Sequence, residues 1–339
     1  MSTADRLWVV AGAFILSLLS TKAVRGFALH AGLIDHPSER GSHTAPTPRS
    51  GGLGIILAFF VSLLWLQIAS ALSARMAITL MLAGGAVALV GLFDDRSPLP
   101  ARIRFVVHLA AAVAVIAVIG EVPLGRIAPE GTLEIWIGRI LGVITIVWTT
   151  NLFNFMDGID GIAGSEAVFV AAAGAALNWY VGGDRELSMV LLCLAGASLG
   201  FLAWNWPPAR IFMGDVGSGF LGFTLAAVGL MANRQGSIAI AVWPILGGVF
   251  LVDATVTLIR RASRGDRWFE AHRMHAYQHL ARRWNSHRGA TLVVIAINVC
   301  WLLPWAWYAA VQPSRAALCA AIALLPLVAL TYASGSGKP

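Results

Sequence analysis

Five aspartates stand out by where they fall. Asp94 and Asp95 close one apolar stretch, Asp157 and Asp160 follow a second, and Asp215 follows a third. In Gly91-Leu92-Phe93-Asp94-Asp95-Arg96, two adjacent carboxylates cannot both ionise cheaply without a counter-charge. Either one keeps a raised pKa and serves as a base, or both face a metal. In Asn151-Leu152-Phe153-Asn154-Phe155-Met156-Asp157-Gly158-Ile159-Asp160-Gly161, the glycines let backbone come close to a ligand. The amides and acids there offer the mixed donors and acceptors that recognition of a base or sugar requires. From Asn205 through Phe212 and Gly214 to Gly219, Asp215 lies in a glycine-rich turn opening a helix, where free backbone N–H groups can cradle phosphate beside a metal ligand. Acids at the ends of membrane helices are costly to desolvate and tend to be paired with a cation. Hard oxygen donors converging from different helices suit Mg²⁺, which takes one or two carboxylates together with phosphate oxygens; Mn²⁺ is accommodated by the same donors. Solvated helix caps would account for one such residue, but not for five in three loops.

A second cluster lies between residues 264 and 283. If this segment is helical, His272, His275 and His279 are spaced three and four apart and share a face with Arg273 close by. Such a face can bind a metal, anionic headgroups or a diphosphate. Because the aspartate set prefers Mg²⁺ to zinc, contact with diphosphate and lipid phosphate is the stronger reading. Asp253 falls inside an apolar run, where an acid is a functional hypothesis by default. Its nearness to Arg260 and Arg261 leaves plain structural pairing equally open. Cys193, Cys300 and Cys319 occur singly in apolar runs without metal spacing and read as packing residues.

The elements that must position these groups are membrane helices. The chain has 339 residues, 58% of them hydrophobic and 12% charged, with mean hydropathy +0.75. A soluble domain of this length carries more charge. Eleven apolar runs can be drawn, near 7–24, 51–71, 77–93, 103–119, 135–152, 162–181, 187–204, 216–232, 237–259, 290–309 and 315–332. Most are long enough to cross a hydrocarbon core of about 30 Å. The expected fold is an all-α polytopic bundle: one integral domain over 1–333 and a disordered Gly-Ser tail over 334–339. Alternate loops divide the 24 basic residues unevenly, seventeen to seven, with Arg40 and Arg267 in the richer set and Arg126 in the poorer. The positive-inside bias puts the richer set, all five aspartates and the C-terminus in the cytoplasm, and the N-terminus in the periplasm. A basic balance that would suggest nucleic acid in a soluble chain here reads as contact with membrane lipids.

Taken together and in order, these segments resemble the polyprenyl-phosphate N-acetylhexosamine-1-phosphate transferases. That family includes phospho-MurNAc-pentapeptide translocase and the undecaprenyl-phosphate GlcNAc-1-phosphate transferases. The resemblance runs from Gly32-Leu33-Ile34-Asp35-His36-Pro37 and Pro48-Arg49-Ser50-Gly51-Gly52 to the histidine loop. It implies ten or eleven spans in the bacterial inner membrane, a cytoplasmic site, a UDP-N-acetylhexosamine donor, an undecaprenyl phosphate acceptor and Mg²⁺; a homodimer is left open. It places Asp94 at the attacking lipid phosphate with Asp95 as its paired neighbour, and Asp215 as the main metal ligand. Asn154 and Asp157 fall at the metal and diphosphate, Asp160 and Phe212 at uracil, and Asn205 at a recurrent family position. Many members carry a Lys soon after the Asp pair, where this chain has Arg96. Many also have adjacent histidines in the last loop, where this chain reads His275-Ala276-Tyr277-Gln278. That form looks like the O-antigen branch, which handles deoxy sugars such as FucNAc or QuiNAc.

Two rivals make different demands. A CDP-alcohol phosphotransferase needs Ala-Arg soon after its second Asp-Gly, whereas Gly161 is followed by Ile162-Ala163-Gly164-Ser165. An ion-coupled transporter predicts ionisable groups near the bilayer midplane and repeated halves. Here the acids gather at one end and no repeat is visible.

Overall fold

The computed structural model describes residues 2–37, 45–122, 132–236, 238–266 and 272–338; Arg40, Arg126 and Arg267 lie outside them. The apolar runs become helices because a backbone in lipid must satisfy its polar groups within the segment. In chain order they are α1 (Thr3–His30), α2 (Gly52–Ile68), α3 (Ala74–Arg96), α4 (Ala101–Ile119), α5 (Thr132–Met156), α6 (Ile162–Tyr180) and α7 (Arg185–Asn205). They continue with α8 (Asp215–Arg234), α9 (Val242–Leu246), α10 (Gly248–Ser263), α11 (Ala276–Trp284), α12 (His287–Ile297), α13 (Leu303–Val311) and α14 (Ala316–Ala333). The only strands among the described residues, β1 (Ile34–Asp35) and β2 (Thr47–Pro48), pair antiparallel in register Ile34 with Pro48.

Nine described helical stretches are long and apolar enough to cross a membrane, α12 and α13 counting as one through a π-helical turn at Asn298–Leu302. The eleven expected runs map onto these nine, the shorter α2, and the α9–α10 pair. The run expected over 237–259 is broken at Gly247, whose main chain ends α9 and starts α10. Large apolar side chains such as Trp65, Leu82, Leu109 and Ile140 face outward, as a lipid-facing surface requires.

Helix α8 is the axis of the molecule. It is buried along almost its whole length and packs against α2, α3, α4, α5, α6 and α7. Small residues permit this. A Cβ on Gly91 would lie 2.5 Å from the Asp215 carbonyl oxygen, and one on Gly217 2.7 Å from the Gly52 Cα. Two interior acids lie away from the loops. Glu166 in α6 is fully buried and accepts a hydrogen bond from Asn298 at 2.6 Å. Asp253 in α10 faces the start of α11, where its partners include Ala276, Tyr277 and His275. Within the tail expected to be disordered, Ser336 is fully buried and the Gly337 N–H donates to the Met274 carbonyl at 2.7 Å. Small residues with two spare hydrogen-bonding groups fit a crevice that a bulky tail could not enter.

Candidate active site

Each acidic loop begins where a helix can no longer continue. Helix α3 ends at Asp94-Asp95-Arg96 because Ser97-Pro98 and Pro100 follow; the Asp94 carboxylate caps the turn by accepting from the Leu99 N–H at 2.5 Å. Helix α6 is entered through Gly161 at φ +77°, and α8 through Gly214 at φ +75°, conformations that L side chains rarely adopt. Segment 206–214 is clamped to the hairpin: Phe212 donates to Pro48 at 2.8 Å, while Gly51 and Gly52 donate to Phe212 and Met213, both at 2.9 Å.

This clamp brings Arg49 and Ser50 to the acid pair. Asp95 is buried and accepts from Arg49 Nη2 at 2.7 Å, Ser50 Oγ at 2.9 Å and the Asp215 backbone N–H at 2.9 Å. Ser50 holds φ +69° to make its contact, a strained conformation of the kind kept where surrounding structure demands it. A Cβ on Gly214 would run into the Asp95 carboxylate. Asp94 faces the other way. Arg104, from the first turn of α4, donates through Nη1 to Asp94 at 2.6 Å and to Asp215 at 3.2 Å, so one guanidinium bridges two acidic loops.

Asp157 stands at the third side. Burial, followed by the charges of Asp215, Asp95 and Asp160, holds its carboxyl well above the usual carboxylate range. Among the described residues it makes no ion pair, so Asp94, Asp95, Asp157 and Asp215 share only Arg49 and Arg104. Asn154, one helical turn before Asp157, donates to Ser218 Oγ at 3.2 Å.

Beside this cluster opens a cavity of about 710 Å³, lined by Asp160, Phe212, Arg273, Gln278, Arg282, His287 and Arg288 among others. Asp160 accepts from Ala209 at 3.0 Å and lies 3.2 Å from His287 Nδ1. Asn205 is buried below it, accepting from Gly161 at 2.9 Å and donating to Ile211 at 3.0 Å, so it ties the second and third loops together.

The family model of Glycosyl transferase family 4 matches residues 76–233. The probable undecaprenyl-phosphate N-acetylglucosaminyl 1-phosphate transferase of Bacillus subtilis (strain 168) is 30% identical over 306 residues, covering 87% of this chain and 83% of its own length. The chain belongs to the polyprenyl-phosphate N-acetylhexosamine-1-phosphate transferase family. A decaprenyl-phosphate N-acetylglucosaminephosphotransferase of Mycobacterium tuberculosis (strain ATCC 25618 / H37Rv) is 31% identical over 315 residues, 83% of this chain and 77% of its own. The phospho-N-acetylmuramoyl-pentapeptide-transferase of Moorella thermoacetica (strain ATCC 39073 / JCM 9320) is 31% identical over 240 residues, 65% of this chain and 70% of its own. This protein is thus an enzyme of sugar-1-phosphate transfer to polyprenyl phosphate, held in a membrane by several spans.

The donor set of the transferase suits a hard divalent cation. Among the described residues no three His, Cys, Asp or Glu side chains form a closed cage. Mg²⁺ needs none, since it keeps waters and takes phosphate oxygens beside one or two carboxylates. The unbalanced Asp157, with Asp215 and Asn154 nearby, is where such an ion would be held.

The structure brings Asp94, Asp95, Asn154, Asp157, Asp160, Asn205, Phe212, Gly214 and Asp215 to one end of the bundle, and Arg273 to the cavity wall. The histidines are arranged differently from the expected single helical face. Helix α11 starts only at Ala276, because Asp253 accepts the N–H groups that would otherwise open the helix a turn earlier. His275 is therefore buried, its ring centroid 4.8 Å from that of His272 and 5.7 Å from that of Tyr277, and only His279 lies on the helix. Burial, then the nearby His275 and Arg261, pushes His272 down to about 3; burial and Arg282 also lower His279. Neither ring lines the cavity, where the positive charge on the wall comes from Arg273, Arg282 and Arg288.

Sequence reasoning assigned no role to Arg49, Ser50, Arg104, Arg282, His287 or Arg288. The one available signal was the surplus of arginine on the same side as the acids.

Proposed function

We propose that the transferase moves an N-acetylhexosamine-1-phosphate from a UDP-sugar to undecaprenyl phosphate, in an Mg²⁺-dependent reaction at the cytoplasmic face of the inner membrane. The donor sugar is GlcNAc or a deoxy sugar such as FucNAc or QuiNAc, and the product starts O-antigen or another cell-envelope polysaccharide. The observation that carries this reading is the convergence of four carboxylates from three loops, three of them paired with only two arginines, beside a cavity walled by three more.

In this reading a phosphate oxygen of the lipid attacks the β-phosphorus of the UDP-sugar. The bond from that phosphorus to the bridging oxygen breaks, and UMP leaves. Asp94 orients the attacking phosphate and takes any proton it carries. Arg104, 31% exposed between Asp94 and Asp215, has N–H groups left for a diphosphate oxygen. Asp95 acts as the scaffold on which Gly214, Asp215 and Arg49 are set. Mg²⁺, held by Asp215, Asn154 and Asp157, supplies charge neutralisation at the diphosphate when bound. Asp160 and Phe212 read the uracil from the cavity wall, above the Asn205 tie, and Arg273 on the same wall faces phosphate. Direct attack is favoured over a covalent aspartyl intermediate. Asp95, wholly buried and accepting from Arg49, Ser50 and the Asp215 N–H, is committed to this scaffold and does not reach the donor as a nucleophile.

The test is to incubate membranes containing the transferase with undecaprenyl phosphate and a panel of labelled UDP-N-acetylhexosamines, with Mg²⁺ or with chelator. A lipid-linked sugar and an equal amount of UMP are expected with one donor and only with the metal. No product from any donor, or equal product under chelation, overturns the proposal.

A further inference from the structure

Outside the acid cluster, one buried network joins parts of the chain that no sequence motif connects. Asp253, in the body of α10, is 2% exposed. Its carboxylate accepts from the Ala276 N–H at 2.9 Å and the Tyr277 N–H at 3.1 Å, the first free donors of α11, and lies 3.4 Å from His275 Nδ1. An anion at a helix N-terminus satisfies unpaired N–H groups and the positive end of the helix dipole together. The network then continues to the last residues of the chain. Thr257, one turn along α10, donates to Asp253 at 3.0 Å; with that proton committed, Ser336 is the donor in the 2.6 Å contact between the Ser336 and Thr257 hydroxyls. Beside it the Gly337 N–H donates to Met274, and Arg264 donates to the Gly337 carbonyl. Gly337 sits at φ +72°, and a Cβ there would meet Arg260 Cβ and the Thr257 carbonyl, each at 3.1 Å.

The far face of α11 reaches the active site. Tyr277 donates to the Phe155 carbonyl at 3.3 Å, and Gly158, next to Asp157, leaves room for the Tyr277 hydroxyl and the Gln278 amide. Gln278 and Arg282 line the cavity, and Arg282 fixes Arg273 by donating to its carbonyl at 2.7 Å. A short helix of nine residues has little stability of its own, so its position is set by what holds it.

We propose that Asp253, Thr257 and the Ser336–Gly337 turn form a latch that seats α11, and that Asp253 is a positioning residue for the nucleotide-sugar donor. The C-terminal segment thereby serves as a structural part of the donor site although no tail residue lines it. The donor assignment rests on the function proposed above; the latch itself rests only on the contacts just described.

The experiment compares the full chain in nanodiscs with Asp253→Asn, Ser336→Ala, Gly337→Val and a chain ended after Ala333. Two quantities are read: hydrogen–deuterium exchange over residues 272–284, and the separate KM values for UDP-sugar and polyprenyl phosphate. Each variant should speed exchange in this segment by on the order of tenfold, as loss of one net hydrogen bond does. Donor KM should rise with it, while lipid KM and the exchange of α8 stay unchanged. Should Asp253→Asn fail to fold, the three tail variants still decide the matter. Unchanged exchange over 272–284 in the tail variants, or a rise in both KM values together, overturns the latch. If the parent turns over no UDP-sugar, the proposed function falls and exchange alone judges the latch.

Discussion

Asp95 is the most heavily bonded acid of the site, and removing it tests whether it is scaffold. Its side chain is wholly buried, and that of Arg49 is 30% exposed. Asp95→Ala strands three donors: Arg49 Nη2, Ser50 Oγ and the Asp215 N–H. Arg49 recovers water, so its share is about 0–1 kcal/mol. Ser50 and the Asp215 N–H do not, and each loses a hydrogen bond to a charged group of roughly 1.5 kcal/mol. The expected loss of stability is therefore about 3 kcal/mol. Asp95→Asn keeps an oxygen for Arg49 and the Asp215 N–H, and the Ser50 hydroxyl can turn to accept from the new amide, so about 1 kcal/mol is expected. Unfolding of the detergent-solubilised protein by added SDS gives the order: parent, then Asn, then Ala. A double-mutant cycle with Arg49→Ala should show coupling of about 1 kcal/mol. An Ala variant as stable as the parent, or Asn costing more than Ala, would refute the scaffold argument.

Other expectations follow from the same geometry. Asp157 keeps its proton to higher pH in the folded protein than in the unfolded chain. Its stabilising contribution is thus complete below the unfolded pKa and is lost as pH rises through the folded one. Asp157→Asn should be more stable than the parent at pH 8, and Mg²⁺ should raise the midpoint of the parent but not of this variant; thermal scans with and without the ion check both. Arg104→Gln leaves Asp94 and Asp215 without their shared cation, so half-saturating Mg²⁺ should fall while kcat drops by about tenfold or more; a metal titration of activity reads both. Gly214→Ala pushes a methyl into the Asp95 carboxylate from a left-handed residue and should abolish turnover, although Gly219→Ala, with 3.5 Å of clearance to Val87, should leave it largely intact.

Much of the fold was legible because crossing a bilayer is a property of composition and length, which single segments carry by themselves. The three acidic loops were legible for a related reason: an aspartate at the end of an apolar run has no packing role to explain it. The break at Gly247 was not, because membrane helices tolerate glycine pairs and periodicity alone cannot separate a tolerated Gly-Gly from a broken helix. The partners of the acids were also hidden. Arg49 meets Asp95 across 46 positions and Arg104 meets Asp215 across 111, distances at which a sequence shows only that arginine is abundant on one side. The histidines misled for an instructive reason. Their spacing fits a helical face, but Asp253, twenty-three residues before Ala276, fixes where the helix begins and turns His275 inward.

The position of the chemistry follows from how helices attract one another in lipid. Burying apolar surface gives little drive there, since acyl chains are as apolar as leucine, so close packing at small residues takes over. In this transferase three such close approaches lie along α8: Gly52 against Gly217, Gly91 against the Asp215 backbone, and Gly222 against Thr149. The first two fall within a turn of Asp215. Gly91 is one turn before Asp94 and Asp95 on α3, so the contact that locks α3 to α8 also fixes the separation of their carboxylates. Like charges brought that close in a poorly hydrated place repel, and Arg49 and Arg104 offset only part of it. Packing between helices therefore holds the acids together against their own repulsion. The uncompensated remainder is concentrated near Asp157, where a divalent cation carrying a diphosphate would relieve it.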